Sequence, residues 1–489
     1  MKSNFSRRSF LKNIGAGTAG LALGAATAIP RSEASSKQPN VLFIAVDDLR
    51  PELACYGHAQ IKSPNIDRLA ANGVLFERAY CQVPVCGASR ASLLTGIRPN
   101  RHRFIDYYAK AEDDVPGAIT LPGHFKKNGW HTVSNGKIFH HANDCAWSWS
   151  EKIWKPKAKR GSGRNYQLEE NLKIDAGSIT RGPTYECADV PDNAYFDGQI
   201  CDKSLADLRR LAGEDKPFFM ATGFIKPHLP FNAPKKYWDL YQREDINLAG
   251  NPFQPKDAPD AAMHNWVEMR RYYEVPPEGP VSDDLARSLI HGYYACVSYV
   301  DAQVGRLLDE LEALGIADNT VVVLWGDHGW HLGEHGLWCK HSNFEKTLHA
   351  PMIVSAPGYA HGKRSTALTE FVDIFPTLTE LCGIETPEHL EGTSFVPLLK
   401  NPDREWKQAA FSRYFNGASV KTDRYRYTEW KTDESVPGAP LTLNRYASML
   451  YDHENDPDEN INIADRPENA ALVKELSALL KNGWKSVKP

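Results

Sequence analysis

Two stretches of this chain are apolar at almost every position and each ends on a pair of charged or ligating residues. Asn40-Val41-Leu42-Phe43-Ile44-Ala45-Val46 runs into Asp47-Asp48, and Thr320-Val321-Val322-Val323-Leu324-Trp325-Gly326 runs into Asp327-His328. A strand with one solvated face alternates apolar and polar residues. Continuous runs therefore predict strands buried on both faces, as in a parallel sheet. Phe218 to Phe224 and Met352 to Ala356 have the same character and predict a third and a fourth. Between them the period lengthens. Val297, Val300, Val304, Leu307, Leu308 and Leu311 recur at three- and four-residue spacings before Gly315, which is one face of a helix followed by a stop. Strands alternating with helices predict a doubly wound α/β sheet.

The pattern breaks down in three places. Residues 143–192 and 232–280 are rich in Pro, Trp, Tyr and charge and have no clean period, which predicts long functional loops or insertions. In the first of them Trp147, Trp149 and Trp154 either stack on sugar rings or pack the insertion itself. From about Glu385, short β-like runs (residues 424–428 and 448–451) are separated by turn-rich segments such as Asn455-Asp456-Pro457-Asp458. An amphipathic helix from about Ala470 to Trp484 ends the chain. We read residues 385–489 as a smaller C-terminal α+β subdomain on a short antiparallel sheet, following a main domain at 38–384.

The amino terminus has another pattern. Ser6-Arg7-Arg8-Ser9-Phe10-Leu11-Lys12, a Gly/Ala-rich stretch from Ile14 to Ala25 and the small residues Ala26-Thr27-Ala28 resemble a twin-arginine export signal occupying residues 1–28. The apolar stretch is too short and too weakly apolar for a membrane span. The expectation is a periplasmic or secreted protein with no stable membrane insertion, handled by the twin-arginine translocation machinery. That route exports chains folded in a reducing compartment, which argues against a disulfide framework among the nine cysteines. Cys187 and Cys201 are the pair that could bridge after export. A net charge of -4 gives no global basic field, so no nucleic acid partner is expected and any anionic ligand must meet local cations.

Ligands of open α/β sheets sit beyond the carboxyl ends of the strands. Asp47, Asp48, Asp327 and His328 converge there, and carboxylate oxygens suit a hard divalent cation, Ca²⁺ or Mg²⁺. Cys86-Gly87-Ala88-Ser89-Arg90 leads into the helix-forming Ala91-Ser92-Leu93-Leu94-Thr95 and the stop Gly96. A helix starting near Cys86 puts Cys86 and Arg90 on one face, with Cys86 at the end where free N–H groups and the dipole favour anions. Taken alone, a cysteine beside an arginine also fits an activated thiol.

These motifs together, with Gly136-Lys137, Lys226-Pro227-His228, Asp327-His328-Gly329 and Lys340, resemble the formylglycine-dependent (type I) sulfatases of the alkaline phosphatase superfamily. Lys137-Ile138-Phe139-His140, Lys226-Pro227-His228-Leu229-Pro230-Phe231 and Gly333-Glu334-His335-Gly336 are in the style of the iduronate branch of that family. The resemblance implies an α/β fold with a large mixed, mostly parallel sheet sandwiched by helices, and it implies that Cys86 is oxidised to formylglycine by a formylglycine-generating enzyme. Asp47, Asp48, Asp327, His328 and the modified Cys86 would then hold Ca²⁺. Arg90 would orient the aldehyde hydrate and Lys137 and Lys340 would neutralise sulfate oxygens. His228 would be the general acid and His140 the base that drives sulfate release, although the Lys-x-x-His spacing differs from the Lys-x-His of many arylsulfatases. Trp330, Lys340 and His228 would frame a sugar carboxylate; His331, His335 and His341 would support the site, and His349 would lie near it. The implied activity is hydrolysis of a sulfated glycan, a 2-O-sulfated uronic acid first. Other sulfated polysaccharides, including algal ones, phosphonate or phosphate ester hydrolysis, and non-catalytic glycan binding are the alternatives.

Overall fold

In the computed structural model, which describes residues 38–158, 160–177, 180–430 and 447–489, the two apolar runs lie side by side at the centre of a seven-stranded sheet. The reading of residues 1–28 as an export signal falls outside the described residues. In chain order the strands are β1 (Asn40–Val46), β2 (Val74–Tyr80), β3 (His131–Gly136), β4 (Phe218–Phe224), β5 (Thr320–Gly326), β6 (Met352–Ser355) and β7 (Lys363–Glu370). Their order across the sheet is β7-β2-β6-β5-β1-β4-β3. Only β6 runs antiparallel to its neighbours, so the sheet is mixed and mostly parallel.

The continuous apolar runs have the predicted cause. Successive side chains of β1 point to opposite faces, and both faces are covered. Leu42, Ile44 and Val46 pack with Leu205 and Leu208 of α2 (Phe196–Leu211) and with Val297, Val300 and Val304 of α3 (Asp283–Ala313). Val41, Phe43 and Ala45 pack on the other side with Leu93 and Leu94 of α1 (Cys86–Thr95) and Phe375 and Leu378 of α4 (Ile374–Leu381). Burying each large aliphatic or aromatic side chain contributes about 1.5–3 kcal/mol, which is why the strand is apolar from Val41 to Val46. The predicted face of α3 is the one it buries, and its start is capped by the Ser282 hydroxyl, which accepts from the Leu285 N–H.

Register places the chemistry. Val46 of β1 pairs with Gly326 of β5 and with Phe224 of β4. The Asp327 N–H then reaches the Val46 carbonyl at 3.3 Å, and the two acidic ends emerge next to each other at one sheet edge.

The two aperiodic stretches are laced to one another. Tyr185–Ala188 pairs in parallel with Phe231–Pro234, and Arg181 bridges to Tyr272. Of the three tryptophans, Trp149 is buried, Trp154 half-buried and Trp147 exposed with its ring close over Gly123, so packing rather than display accounts for Trp149. Near the carboxyl end, β8 (Ala409–Tyr414), β9 (Gly417–Thr422), β10 (Tyr425–Trp430) and β11 (Ala447–Asp452) form a second sheet, antiparallel throughout. The final helix α5 (Ala470–Asn482) sets Leu476 against Val420, Tyr427 and Leu450. All nine cysteines are free thiols, and the Cys187–Cys201 bridge is not formed. No helix of the described residues is long and apolar enough to cross a membrane.

Candidate active site

The nucleophile candidate is fixed by the first turn of α1. Val85 is extended (φ -147°, ψ 127°) and the helix begins at Cys86, with all ten of its residues buried. Position 87 must be glycine, because a Cβ there would stand 2.6 Å from the Tyr107 carbonyl oxygen. Gly96, at φ 66°, closes the helix in the left-handed conformation that a glycine adopts without strain. The Cys86 Sγ lies 3.2 Å from His328 Nε2 and donates toward Asp48 Oδ1 at 3.7 Å. Burial and the Asp47 carboxylate push its thiol well above the usual range against the pull of Lys137 and Lys340. The activated-thiolate reading therefore loses its electrostatic basis.

Arg90, one turn on, is fully buried and uses its whole fork. Its Nε donates to Asp327 Oδ2 at 2.8 Å, Nη2 to Asp47 Oδ1 at 3.1 Å, and Nη1 to the carbonyls of Lys137 and Ile138. Asp48 has a left-handed backbone (φ 60°), and its carbonyl accepts from the Tyr293 hydroxyl at 2.8 Å. Its N–H donates to Asp327 Oδ1 at 2.9 Å, so the two strand ends are tied together directly.

Two lysines flank the carboxylates. Lys137 Nζ donates to Asp47 Oδ2 at 2.5 Å, and Lys340 Nζ donates to both oxygens of Asp48 at 3.1 Å. Two unit charges about 3 Å apart attract by about 5 kcal/mol at an effective dielectric near 20, against several kcal/mol for desolvating each ion. Asp47 has two such cations, and although burial opposes it, Lys137 and Arg90 hold its carboxyl well below the ordinary range. Asp327 is raised, because burial and the neighbouring Asp47 charge outweigh His328 and Arg90.

One member of this network gave no signal in the sequence. Glu268, on the second aperiodic stretch, lies 3.0 Å from Lys340 Nζ and 3.0 Å from His228 Nε2. Lys340 and His228 hold it well below the usual carboxylate range despite its burial. The other ring nitrogen of His228 faces the Leu229 carbonyl at 2.7 Å, so both nitrogens look at oxygen acceptors. Trp330 packs under Lys340, whose Nζ is 5.0 Å from the ring centroid. The Trp330–Lys340–His228 frame exists, but a carboxylate of the protein itself already occupies it.

A family model described as "Sulfatase" matches residues 39–384, and a second, "N-sulphoglucosamine sulphohydrolase, C-terminal", matches residues 333–485. The chain belongs to the sulfatase family. Human iduronate 2-sulfatase is 32% identical to it over 93% of this chain and 96% of its own length. A sulfatase of Formosa agariphila is 32% identical over 91% of this chain and 86% of its own. Among solved structures, BT4656 in complex with its substrate D-glucosamine-2-N,6-O-disulfate superposes with a TM-score of 0.70 at 24% identity, covering 92% of this chain and 98% of that one. This sulfatase is thus a sulfuric ester hydrolase on an alkaline phosphatase-like fold.

Nine of the ten predicted residues of the sulfatase site meet in one place: Asp47, Asp48, Cys86, Arg90, Lys137, His228, Asp327, His328 and Lys340. His140 comes near without bonding to them. Burial, then the Lys137 charge, lowers its pKa to about 2, and among the described residues its buried Nδ1 has no partner. The other histidines divide. His331 bonds Ser342 at 3.0 Å, His335 bonds the Asp458 carbonyl at 2.8 Å, and His341, half-buried, is lowered well below the ordinary range by desolvation and the neighbouring Lys340 charge. His349 departs from expectation. Its backbone closes on Gly329, but its side chain turns into a separate cavity of about 350 Å³ with Arg50, His58 and Glu345.

The donor set fits a divalent cation. Asp47, Asp48 and Cys86, with His228, present ligand atoms within 4.8 Å of one another, and so do Cys86, Asp327 and His328. Cys86 is common to both groups. Three carboxylates and two imidazoles converge on that side chain; the carboxylate majority matches the oxygen-rich coordination of Ca²⁺ or Mg²⁺, with the histidines as the softer members.

Proposed function

We propose that this sulfatase removes sulfate from a sulfated carbohydrate, a 2-O-sulfated uronic acid first, using formylglycine made from Cys86 and a bound Ca²⁺. The observation that carries the reading is the Cys86 side chain at the start of α1, 3.2 Å from His328 and 3.7 Å from Asp48, with Lys137 and Lys340 on the flanking carboxylates. The substrate class is supported by iduronate 2-sulfatases of mouse and man, at 31% and 32% identity over most of the chain.

Formylglycine, as its hydrate, supplies one hydroxyl to attack the sulfate ester and a second whose deprotonation frees the sulfate. The cation, held by Asp47, Asp48, Asp327, His328 and the oxygen that replaces the Cys86 sulfur, would lower the cost of negative charge on the sulfate oxygens. The protein's own residues do the rest. Arg90 stiffens the floor by holding Asp47 and Asp327 at once, and α1 aims its free N–H groups at the anion. Lys137 and Lys340 sit where sulfate oxygens need donors, preorganised by their carboxylate partners. His228 turns Nδ1 toward the Leu229 carbonyl at 2.7 Å and Nε2 toward Glu268 at 3.0 Å, so Nε2 is the ring nitrogen placed to donate to the departing sugar oxygen. His140, kept neutral by burial, can accept a proton during sulfate release.

The formylglycine-generating enzyme, the twin-arginine machinery and a sulfated glycan are the partners this reading requires, and it places the mature protein in the periplasm or outside the cell. The test is sulfate release from a panel of defined sulfated disaccharides, with a mass spectrum of the Cys86 peptide from the native host. An aldehyde at Cys86 and turnover of 2-O-sulfated uronates are expected. An unmodified cysteine refutes the formylglycine; turnover of other sugar sulfates alone refutes the substrate class.

A further inference from the structure

The catalytic floor opens into a cavity of about 450 Å³, a size suited to more than one sugar ring, walled by residues 225–230 after β4, by Phe196 and by parts of the two aperiodic stretches. Asp47 and Lys137 form its floor; Arg164, Arg181, Lys226 and His228 are the other charged groups around it. Most of these cations are already satisfied. Lys137 has Asp47, Arg164 has Asp175 at 2.7 Å and His228 has Glu268 at 3.0 Å. Lys226 spends its Nζ on the carbonyls of His228 and Pro230, at 2.7 and 2.6 Å. Arg181 is different. Among the described residues it faces no carboxylate within ion-pair distance, and its guanidinium lies over the Tyr272 ring at 5.4 Å. Its backbone is nonetheless pinned, with the Arg181 N–H on the Arg271 carbonyl at 2.7 Å.

The geometry points to Arg181 as a specificity residue that binds a second oxyanion of the substrate, a carboxylate or a further sulfate on the same or the adjoining sugar. This rests on the sulfatase reading of the site and adds a feature to it. A guanidinium presents a planar fork of donors that matches either oxyanion in a bidentate way. The alternative anion site, between Lys340 and His228, is neutralised by Glu268. Among the described residues of this wall, Arg181 is therefore the cation whose side chain has neither a carboxylate partner, as Lys137, Arg164 and His228 have, nor the carbonyl cradle that holds Lys226. A strut role on Tyr272 alone is worth only about 0.5–1 kcal/mol at a partly exposed position and gives no discrimination between substrates.

The experiment compares the wild-type enzyme, Arg181→Gln and Arg181→Lys on four probes. These are 4-nitrophenyl sulfate and disaccharides bearing one sulfate only, one sulfate plus a carboxylate, or two sulfates. Loss of a charge-assisted contact lowers kcat/KM by about 10- to 100-fold, carried by KM because the contact exists before the transition state. That loss is expected for Arg181→Gln on the probes with a second anion. The aryl sulfate and the monosulfated disaccharide should change by less than about twofold, and Arg181→Lys should recover part of the loss. Whichever of the last two probes loses more identifies the oxyanion. Equal loss on all four probes, or none on the doubly anionic ones, overturns the inference; if Arg181→Gln does not fold, the same comparison with Arg181→Lys decides. Wild-type enzyme that frees sulfate from no probe overturns the functional reading, and this inference falls with it. Wild-type turnover with no selective loss overturns this inference alone.

Discussion

Arg90→Met tests the central claim about how this site is built. The guanidinium is fully buried and donates to two carboxylates and two carbonyls. Its four charge-assisted bonds are worth about 1.5–3 kcal/mol each taken singly. Part of that returns, because Met fills most of the volume and Asp327, already raised in pKa, can take up a proton. Removing one member of a buried ion network leaves about 3–5 kcal/mol of destabilisation. Unfolding entropy of about 2.1 cal/mol/K per residue makes 1 kcal/mol worth about 1 °C in a chain of 489 residues. Scanning calorimetry of Arg90→Met in a chelating buffer should therefore show a melting temperature lower by about 3–5 °C. Divalent cation should raise the melting temperature of the variant more than that of the wild type, because Asp47 and Asp327 have lost their fixed cation and gain more from a mobile one. A variant melting within about 1 °C of wild type under chelation would show that Arg90 does not hold the floor together.

Two further expectations concern the same neighbourhood. Gly87→Ala forces either Tyr107 or the start of α1 to move, since the new methyl would stand 2.6 Å from a carbonyl oxygen. Overpacking of this kind costs about 1–3 kcal/mol, and turnover should fall by more than tenfold, read by denaturant melts and sulfate release; near-wild-type values in both would contradict the reading. His140 has a pKa lowered to about 2 by burial and Lys137, against roughly 6.5 in the unfolded chain. Below about pH 6.5 the unfolded chain takes up a proton that the folded one refuses, so stability falls as pH drops from there toward 2. His140→Gln should flatten that limb in melts taken from pH 7 to pH 4, and an unchanged slope would place His140 in a solvated setting.

Much of the scaffold could be read in one dimension. The unbroken apolar runs of β1 and β5, the three- and four-residue period of α3 and the Gly96 stop are consequences of local geometry and two-sided burial. The acidic strand ends and the Cys86–Arg90 turn were legible for the same reason, because an element's end and a helix's repeat fix where a few neighbours point. The misplacement of His349 marks the limit. It follows Lys340 closely in the chain, yet the chain turns after Glu345–Leu348 and carries the imidazole into another cavity.

What the sequence by itself determined is therefore the sheet, the placement of Asp47-Asp48 and Asp327-His328 at its edge, and the position of Cys86 at a helix start. The tertiary structure alone decided which charges find partners. Glu268 gives no periodic signal within residues 232–280, yet it neutralises Lys340 and His228 from far along the chain; Arg181, equally anonymous, is left without a carboxylate. Hydrogen-bonded periodicity and burial are properties of neighbouring residues. Coulomb interactions reach across whatever the fold brings within a few ångströms, and that proximity is set by packing the two long insertions against each other rather than by any residue type within them.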